Sequence, residues 1–179
     1  MQEWNAVISV HEHGFRQAIN VFGDFGEVKR TDFFNVLLLR ARDVNQMLET
    51  LRERTLKNPS TLSFLARLIP ITHTFTFDSA DEFELKAGEI LITWTQHLAG
   101  KSFYVRIRRR GFKGKISSPG EERLLDVVLL EALKKAGAPG RISFQDPDAI
   151  IAIETIGTWA GLTLVMREDL KRYPFIRLD

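Results

Sequence analysis

The spacing of hydrophobic residues within residues 1–77 is the feature that most constrains the fold. Residues 4–10 alternate between apolar and polar side chains, as a strand does, whereas residues 14–25 repeat apolar side chains at helical spacing. Asp43 is a good N-cap residue and predicts a second helix that ends near residue 57. We also predict strands at residues 27–32, 34–40 and 69–77 and a short helical piece at residues 61–67. The order of the main elements is therefore β-α-β-β-α-β.

Residues 78–179 predict a second α/β unit with a different order. Asp78 or Ser79 caps a helix that runs to about residue 98, and a basic strand follows. Ser118-Pro119-Gly120-Glu121 has the pattern of a helix start, with Ser118 as the cap. We predict three further strands at residues 141–145, 149–155 and 162–167. A helix that connects two strands of one sheet requires those strands to be parallel, so this sheet is predicted to be mixed.

The chain is therefore predicted to be an α+β (α/β) protein with two units. Residues 1–77 have the element order of a ferredoxin-like domain, and residues 78–179 form an α/β unit with a mixed, partly parallel sheet. A length of 179 residues with 44% hydrophobic residues is sufficient for one large or two small cores.

The segment of residues 101–115 is strongly basic and contains no acidic residue. Phe103, Val105 and Ile107 alternate along it with Tyr104, Arg106 and Arg108, so a sheet would bury the first set and expose the second. Cations without local carboxylates suit a polyanion such as nucleic acid. The alternative is an edge strand that uses its charges to block aggregation.

Charge is unevenly distributed along the chain, which locates the anion site in the second half. Residues 1–100 carry 10 Lys/Arg and 13 Asp/Glu, whereas residues 101–179 carry 15 and 10. Gly111 and Gly114 would let the loop backbone approach a phosphate, unless they only form an ordinary turn. Arg109 requires a bulge or a strand end to avoid the buried face. The candidate binding residues are Lys101, Arg106, Arg108, Arg109, Arg110, Gly111, Lys113, Lys115, Arg141 and Arg172.

The composition excludes several classes of protein. The sequence has no cysteine, which rules out disulfides and thiolate-bound zinc and favours a reducing compartment such as the cytoplasm. We find no signal peptide pattern and no apolar run that could span a bilayer, and we expect no membrane partner. We predict neither a cofactor nor a metal site.

Other motifs offer weaker alternatives. The sequence His11-Glu12-His13 could hold a metal only with a further ligand, and it is otherwise a polar loop. Asp146 and Asp148 flank a proline and could serve acid–base chemistry or magnesium, although turn residues fit this pattern better. Trp159 lies in a glycine turn and is a candidate for base stacking, whereas Trp94 lies on an apolar helical stripe and is predicted to be core.

Several short motifs of residues 68–179 occur in a characteristic order and at characteristic spacing. They are residues 68–71 (Leu-Ile-Pro-Ile), the helix with Trp94, the basic residues 101–111, Arg141-Ile142-Ser143-Phe144, Asp146-Pro147-Asp148, residues 150–157 and Arg172-Tyr173-Pro174-Phe175. The chain resembles stand-alone THUMP proteins with a preceding ferredoxin-like domain. The family pattern has Asn-Pro-Asp where this chain has Asp146-Pro147-Asp148.

The resemblance implies RNA binding, mostly to tRNA or another structured RNA, with no catalytic residues in the chain itself. It further implies that the bound RNA is presented to a separate RNA-modifying enzyme, of the kind that makes acetylcytidine. Two alternatives stay open. The chain could be an RNA- or nucleotide-acting enzyme with an acidic site, or an adaptor whose basic strand binds an acidic protein.

Overall fold

A computed structural model describes residues 3–178 of the chain. Its elements are β1 (Ala6–Val10), α1 (Phe15–Gly23), β2 (Gly26–Arg30), β3 (Val36–Ala41), α2 (Val44–Lys57), a 3₁₀ turn (Pro59–Leu62), β4 (Leu65–Pro70), β5 (His73–Thr76), α3 (Ala80–Ile92), α4 (Thr95–Leu98), β6 (Ser102–Arg108), α5 (Ser118–Lys135), β7 (Arg141–Ile142), β8 (Ala149–Ile156), β9 (Trp159–Met166) and α6 (Arg167–Arg172). No helix in these described residues is both long enough and apolar enough to cross a membrane.

The chain packs as two compact units. One contains the residues up to Ile71 together with the segment that starts at Glu168, and the other spans Thr72–Arg167. The boundary between the units falls between Ile71 and Thr72. The N–H of Ile71 donates to the carbonyl of Asn5 in the first unit, whereas the N–H of Thr72 donates to the carbonyl of Leu162 in the second sheet. The sequence predicts two domains, at residues 1–77 and 78–179, and these domain limits stay a prediction.

The first unit confirms the predicted β-α-β-β-α-β order. Its four strands lie in the order β2-β3-β1-β4, and every adjacent pair is antiparallel. Asp43 caps α2 as predicted, because its side chain accepts the N–H of Gln46 at 2.9 Å. Helices α1 and α2 bury Phe22 and Met47 completely. The free edge of β4 is extended by the segment after α6, since the N–H of Leu68 donates to the carbonyl of Phe175 at 3.0 Å.

The second unit has a mixed sheet, which confirms the predicted crossover. The strands lie in the order β5-β9-β8-β6-β7, and β6 is parallel to both β7 and β8. Helices α3 and α5 cover one face, where Phe103, Val105 and Ile107 join Phe83 and Leu129 in the core. The Gly140 position is tight, since a Cβ there would lie 2.9 Å from the Lys101 carbonyl oxygen and from two side chains.

Helix α5 closes the edge of β6 that the short β7 leaves open. Asp126 accepts the N–H of Val105 and Glu122 accepts that of Ile107, both at 2.9 Å. The two carboxylates are four residues apart and therefore on one face of α5. Burial raises the pKa of Asp126 to about 6, although the backbone bond opposes that shift.

Several local predictions are wrong. Residues 61–67 do not form a helical piece, because a 3₁₀ turn there gives way to β4, and residues 69–77 are two strands of different sheets. The helix predicted to run to residue 98 is broken after Ile92. The strand predicted at residues 141–145 has only two residues, and α6 was not predicted. Ser117 caps α5 in place of Ser118, since its hydroxyl accepts the N–H of Gly120.

Candidate nucleic-acid interface

Strand β6, the basic strand, is an interior strand rather than an edge strand. It lies between β7 and β8, and its side chains alternate as predicted. The second face is less exposed than predicted, because Tyr104 is only 4% accessible and Arg106 is half-buried. Arg108, at the end of the strand, is exposed. The expected row of fully outward cations therefore exists only near the carboxyl end of β6 and in the loop that follows.

A cluster of aromatic and cationic side chains lies on this second face. The guanidinium of Arg106 is 5.3 Å from the ring centroid of Tyr104, and the Phe144 ring lies 5.2 Å from that of Tyr104 at an angle of 44°. The buried Nε of Arg106 has no hydrogen-bond partner among residues 3–178. Phe144 is 68% exposed, which is unusual for a phenylalanine. Phe144 is not among the binding residues predicted from the sequence, because the exposure of a side chain in a short loop is not visible in the sequence.

Arg110 is neutralised by the protein itself. Its Nη1 lies 2.5 Å from the Oε2 of Glu154 on β8, and the side chains are only 11% and 2% exposed. The N–H of Arg110 also donates to the hydroxyl of Thr155 at 3.0 Å. A phosphate would have to compete with a buried carboxylate for this guanidinium. These contacts give Arg110 a structural role, and the RNA-binding surface proposed below does not include it.

The loop after β6 holds two lysines outward on an anchored backbone. Phe112 packs against Phe77 with ring centroids 4.9 Å apart, and Ile116 is 4% exposed. Gly111 and Phe112 have positive φ values of 90° and 52°, so the backbone turns sharply there. Lys113 and Lys115 are exposed and, within residues 3–178, form no ion pair.

The remaining loop residues are positioned as follows. Gly114 has a φ of 79° in open space, and the approach of its backbone to a phosphate stays a prediction. Arg109 donates from Nη1 to the carbonyl of Gly111, so it bends back on its own loop. Glu121 lies in the first turn of α5, where burial and a hydrogen bond with Glu84 raise its pKa. That carboxyl therefore opposes an incoming phosphate less than an ordinary glutamate would.

The other predicted cations are divided between the two units. Arg141 is exposed on β7 and lies in register with Ser102 on β6, and its N–H bonds to the carbonyl of the half-buried Lys101. Arg172 belongs to the first unit, where its Nε and Nη2 bind Glu49 at 2.7 and 2.9 Å. These bonds lower the pKa of Glu49 to about 2.

The weaker candidates have structural partners. Asp148 accepts from the N–H and hydroxyl of Ser102, which lowers the pKa of Asp148, and Arg167 lies 3.3 Å from it. The Asp146 carboxylate lies 3.0 Å from the same arginine. In the part of the chain that the structure describes, no group of three His, Cys, Asp or Glu side chains could hold a metal.

The predicted tryptophans differ in their exposure. Trp94 is buried as predicted, at 7% exposure, against the ring of His73. Trp159 is the first residue of β9 and is half-buried, so it does not lie in a free turn. Phe144 is thus a more accessible stacking surface than either tryptophan.

The fold and the anchored cationic loop define an α+β protein with a basic surface on its second unit. The fold is similar to that of PH1313 from Pyrococcus horikoshii, with a TM-score of 0.66 at 9% identity over 92% of this chain and 55% of that chain. It is also similar to a 4-thiouridine synthetase in complex with RNA and ATP, with a TM-score of 0.54 at 13% identity over 92% and 42% of the two chains.

A third similar structure is TrmN from Thermus thermophilus, with a TM-score of 0.53 at 17% identity over 90% of this chain and 44% of that chain. The chain spans about half the length of these three structures. At such identities the likeness concerns the fold. No family model matches the sequence, and no curated protein matches it either.

Proposed function

We propose that this chain is a THUMP-type RNA-binding protein that binds tRNA or a similar structured RNA. In this proposal, the exposed cations near the end of β6 contact the phosphates, and a separate modifying enzyme of the acetyltransferase type acts on the bound RNA. Support comes from the fold shared with a synthetase whose structure contains RNA. The chain itself contributes no catalytic residue.

The observation that carries the proposal is the anchored loop with Lys113 and Lys115. Packing of Phe112 and Ile116 orders the loop backbone before RNA arrives, so little backbone entropy is lost on binding and the entropy cost comes from the two lysine side chains. Phosphate contacts of this kind position RNA without reading its sequence, which suits recognition by shape. Arg108 and Arg141 extend the exposed charge along the same sheet.

The proposal is tested by replacing Lys113 and Lys115 together with alanine and measuring the affinity for a tRNA transcript at several salt concentrations. Each phosphate contact that is lost reduces the slope of log K against log salt by about 0.7–0.9. We therefore expect weaker binding and a slope lowered by roughly 1.4–1.8 for the two lost contacts. The melting temperature should stay unchanged, because both side chains are exposed.

The matched control replaces Lys134 and Lys135 with alanine. These are also two adjacent exposed lysines, at the far end of α5, so the change in net charge is identical. If the control weakens binding as much as the loop variant, RNA binding depends on total charge and the proposed surface is wrong. Equal affinity of the loop variant and the unmodified chain would refute the proposal outright.

A substitution of Phe144 tests whether the second unit also binds the single-stranded 3′ end of the tRNA. Stacking of one base on an exposed aromatic ring contributes about 1–3 kcal/mol. Phe144→Ala should therefore weaken binding of intact tRNA by roughly 5–150-fold, and should have no effect on tRNA that lacks its unpaired 3′ nucleotides. An equal loss for both RNAs would show that Phe144 does not stack on that end.

The role in modification needs its own measurement. Acetylcytidine formation by a candidate acetyltransferase should require this chain and should fall in the Lys113/Lys115 double alanine variant, while the Lys134/Lys135 variant supports full activity. Activity that is independent of the chain would leave RNA binding intact and refute the presenting role.

A further inference from the structure

A cavity of about 380 Å³ lies in the first unit, formed by α2, the 3₁₀ turn, β4 and the segment around α6. Its volume falls in the range of specific ligand pockets. The apolar floor contains Leu62, Leu65 and Phe175, each at most 7% exposed, and Leu56 adds an exposed apolar wall.

The charged residues at the rim of this cavity are cations. They are Arg52, Lys171, Arg172 and Arg177. Glu49, which lies outside the lining, pairs with Nε and Nη2 of Arg172 and offsets its charge. The side chain of Arg177 donates from Nη1 to the carbonyl of Ala66 at 3.2 Å, which fixes the guanidinium at the rim. The other three rim cations, around an apolar floor, attract a ligand with acidic groups on either side of an apolar one.

Among the described residues, the lining has few side-chain atoms that can accept a hydrogen bond. Within residues 3–178 it contains no Asp, Glu, Asn, Gln or His, and its one hydroxyl, that of Thr55, donates to the carbonyls of Leu51 and Arg52. The amino and hydroxyl donors of a nucleoside would find few side-chain acceptors here, at a cost. The one aromatic ring in the lining, Phe175, is buried and offers no open stacking face. These features favour carboxylates and an aliphatic or phenyl side chain over a nucleotide.

We propose that this cavity binds an acidic peptide segment of a partner protein. A Leu or Phe side chain of the segment fills the apolar floor, and flanking Asp or Glu carboxylates pair with the rim. The site shares no residue with the loop around Lys113, so the proposal stands or falls separately from RNA binding.

The test is a selection of random 12-residue peptides on the intact chain, followed by affinity measurements with the selected peptide carrying a fluorophore. We expect peptides with a Leu or Phe between acidic residues. Leu56→Asp should weaken binding of the selected peptide at least tenfold, because the substitution places a carboxylate in the apolar wall. Leu56 is 69% exposed, so the fold should survive. The matched control is Leu85→Asp, at a 64% exposed leucine of α3, and it should bind as the unmodified chain does.

Charge reversal at the rim provides a second readout. Lys171→Glu should also weaken binding of the peptide at least tenfold, whereas Lys134→Glu should leave it unchanged. The proposal is overturned if no peptide is selected, if the selected peptides lack acidic residues, or if Leu56→Asp leaves binding intact. It is also overturned, in favour of a nucleic-acid site, if Leu56→Asp weakens the binding of tRNA but not the binding of the peptide. The Lys113/Lys115 double alanine variant should bind the peptide normally, whatever its affinity for RNA.

Discussion

Arg110→Ala is expected to destabilise the fold strongly, although the residue lies in a basic segment that resembles a binding surface. Glu154 is 2% exposed and lies 2.5 Å from the Arg110 guanidinium. Removal of the arginine takes away the guanidinium that contacts this buried carboxylate through Nη1, and Glu154 cannot move to water from the middle of the sheet. The loss should therefore come from the weakened pairing of a buried charge rather than from missing RNA contacts.

Breaking a buried ion pair by removing one partner costs about 3–5 kcal/mol. Proteins of this size lose about 2–4 °C of melting temperature for each kcal/mol. The expected shift for Arg110→Ala is therefore roughly 6–20 °C. The double variant Arg110→Leu/Glu154→Leu removes both charges and should recover much of that loss.

The assay is urea unfolding followed by circular dichroism, supported by thermal melting. Arg141→Ala is the control, since Arg141 is an exposed arginine of the same sheet and should change stability by less than about 0.5 kcal/mol. A loss below about 1 kcal/mol for Arg110→Ala would refute the view that its main partner is the buried carboxylate. Failure of the double variant to recover stability would show that packing, not charge, dominates.

Three further predictions concern local structure. Because the folded state holds the Asp126 proton up to about pH 6, and the unfolded chain releases it near 3.8, stability should fall as pH rises between these values. Asp126→Asn should reduce this fall in urea midpoints measured from pH 4 to 8, and the fall that remains should come from Glu121, whose pKa is also raised. Gly26→Ala should destabilise severely in thermal melts, because its Cβ would lie 2.0 Å from a carbonyl oxygen, whereas Gly23→Ala has open space and should be neutral or stabilising. Ser117→Ala should cost about 1 kcal/mol in urea unfolding and Ser118→Ala much less, and the reverse order would contradict the assigned cap.

Patterns within a short stretch of sequence predicted most of the fold. The β-α-β-β-α-β order and the Asp43 cap depend on neighbouring residues, and both are confirmed. The partly parallel sheet followed from one helix between two strands. In contrast, the partner of Arg110 lies 44 positions away, and only the register of β6 against β8 brings it close.

The candidate site was harder to predict for the same reason. Lys113 and Lys115 are where the sequence indicated, because glycines around them mark a loop. The burial of Tyr104 depends on elements distant in the chain, and so does the exposure of Phe144. Prediction of the part of the β6 edge that stays open, and of its closure by Glu122 and Asp126, would also have required the length of β7, which has only two residues.

The return of residues 168–178 to the first unit affects the order in which the protein can be completed on the ribosome. The edge of β4 receives its bond from Phe175 only after the whole second unit has been synthesised. At about 5–20 residues per second, the 72–167 stretch takes roughly 5–20 s to emerge. During that interval the nascent β4 edge stays open to chaperones or to other chains, while the unit translated later can already close.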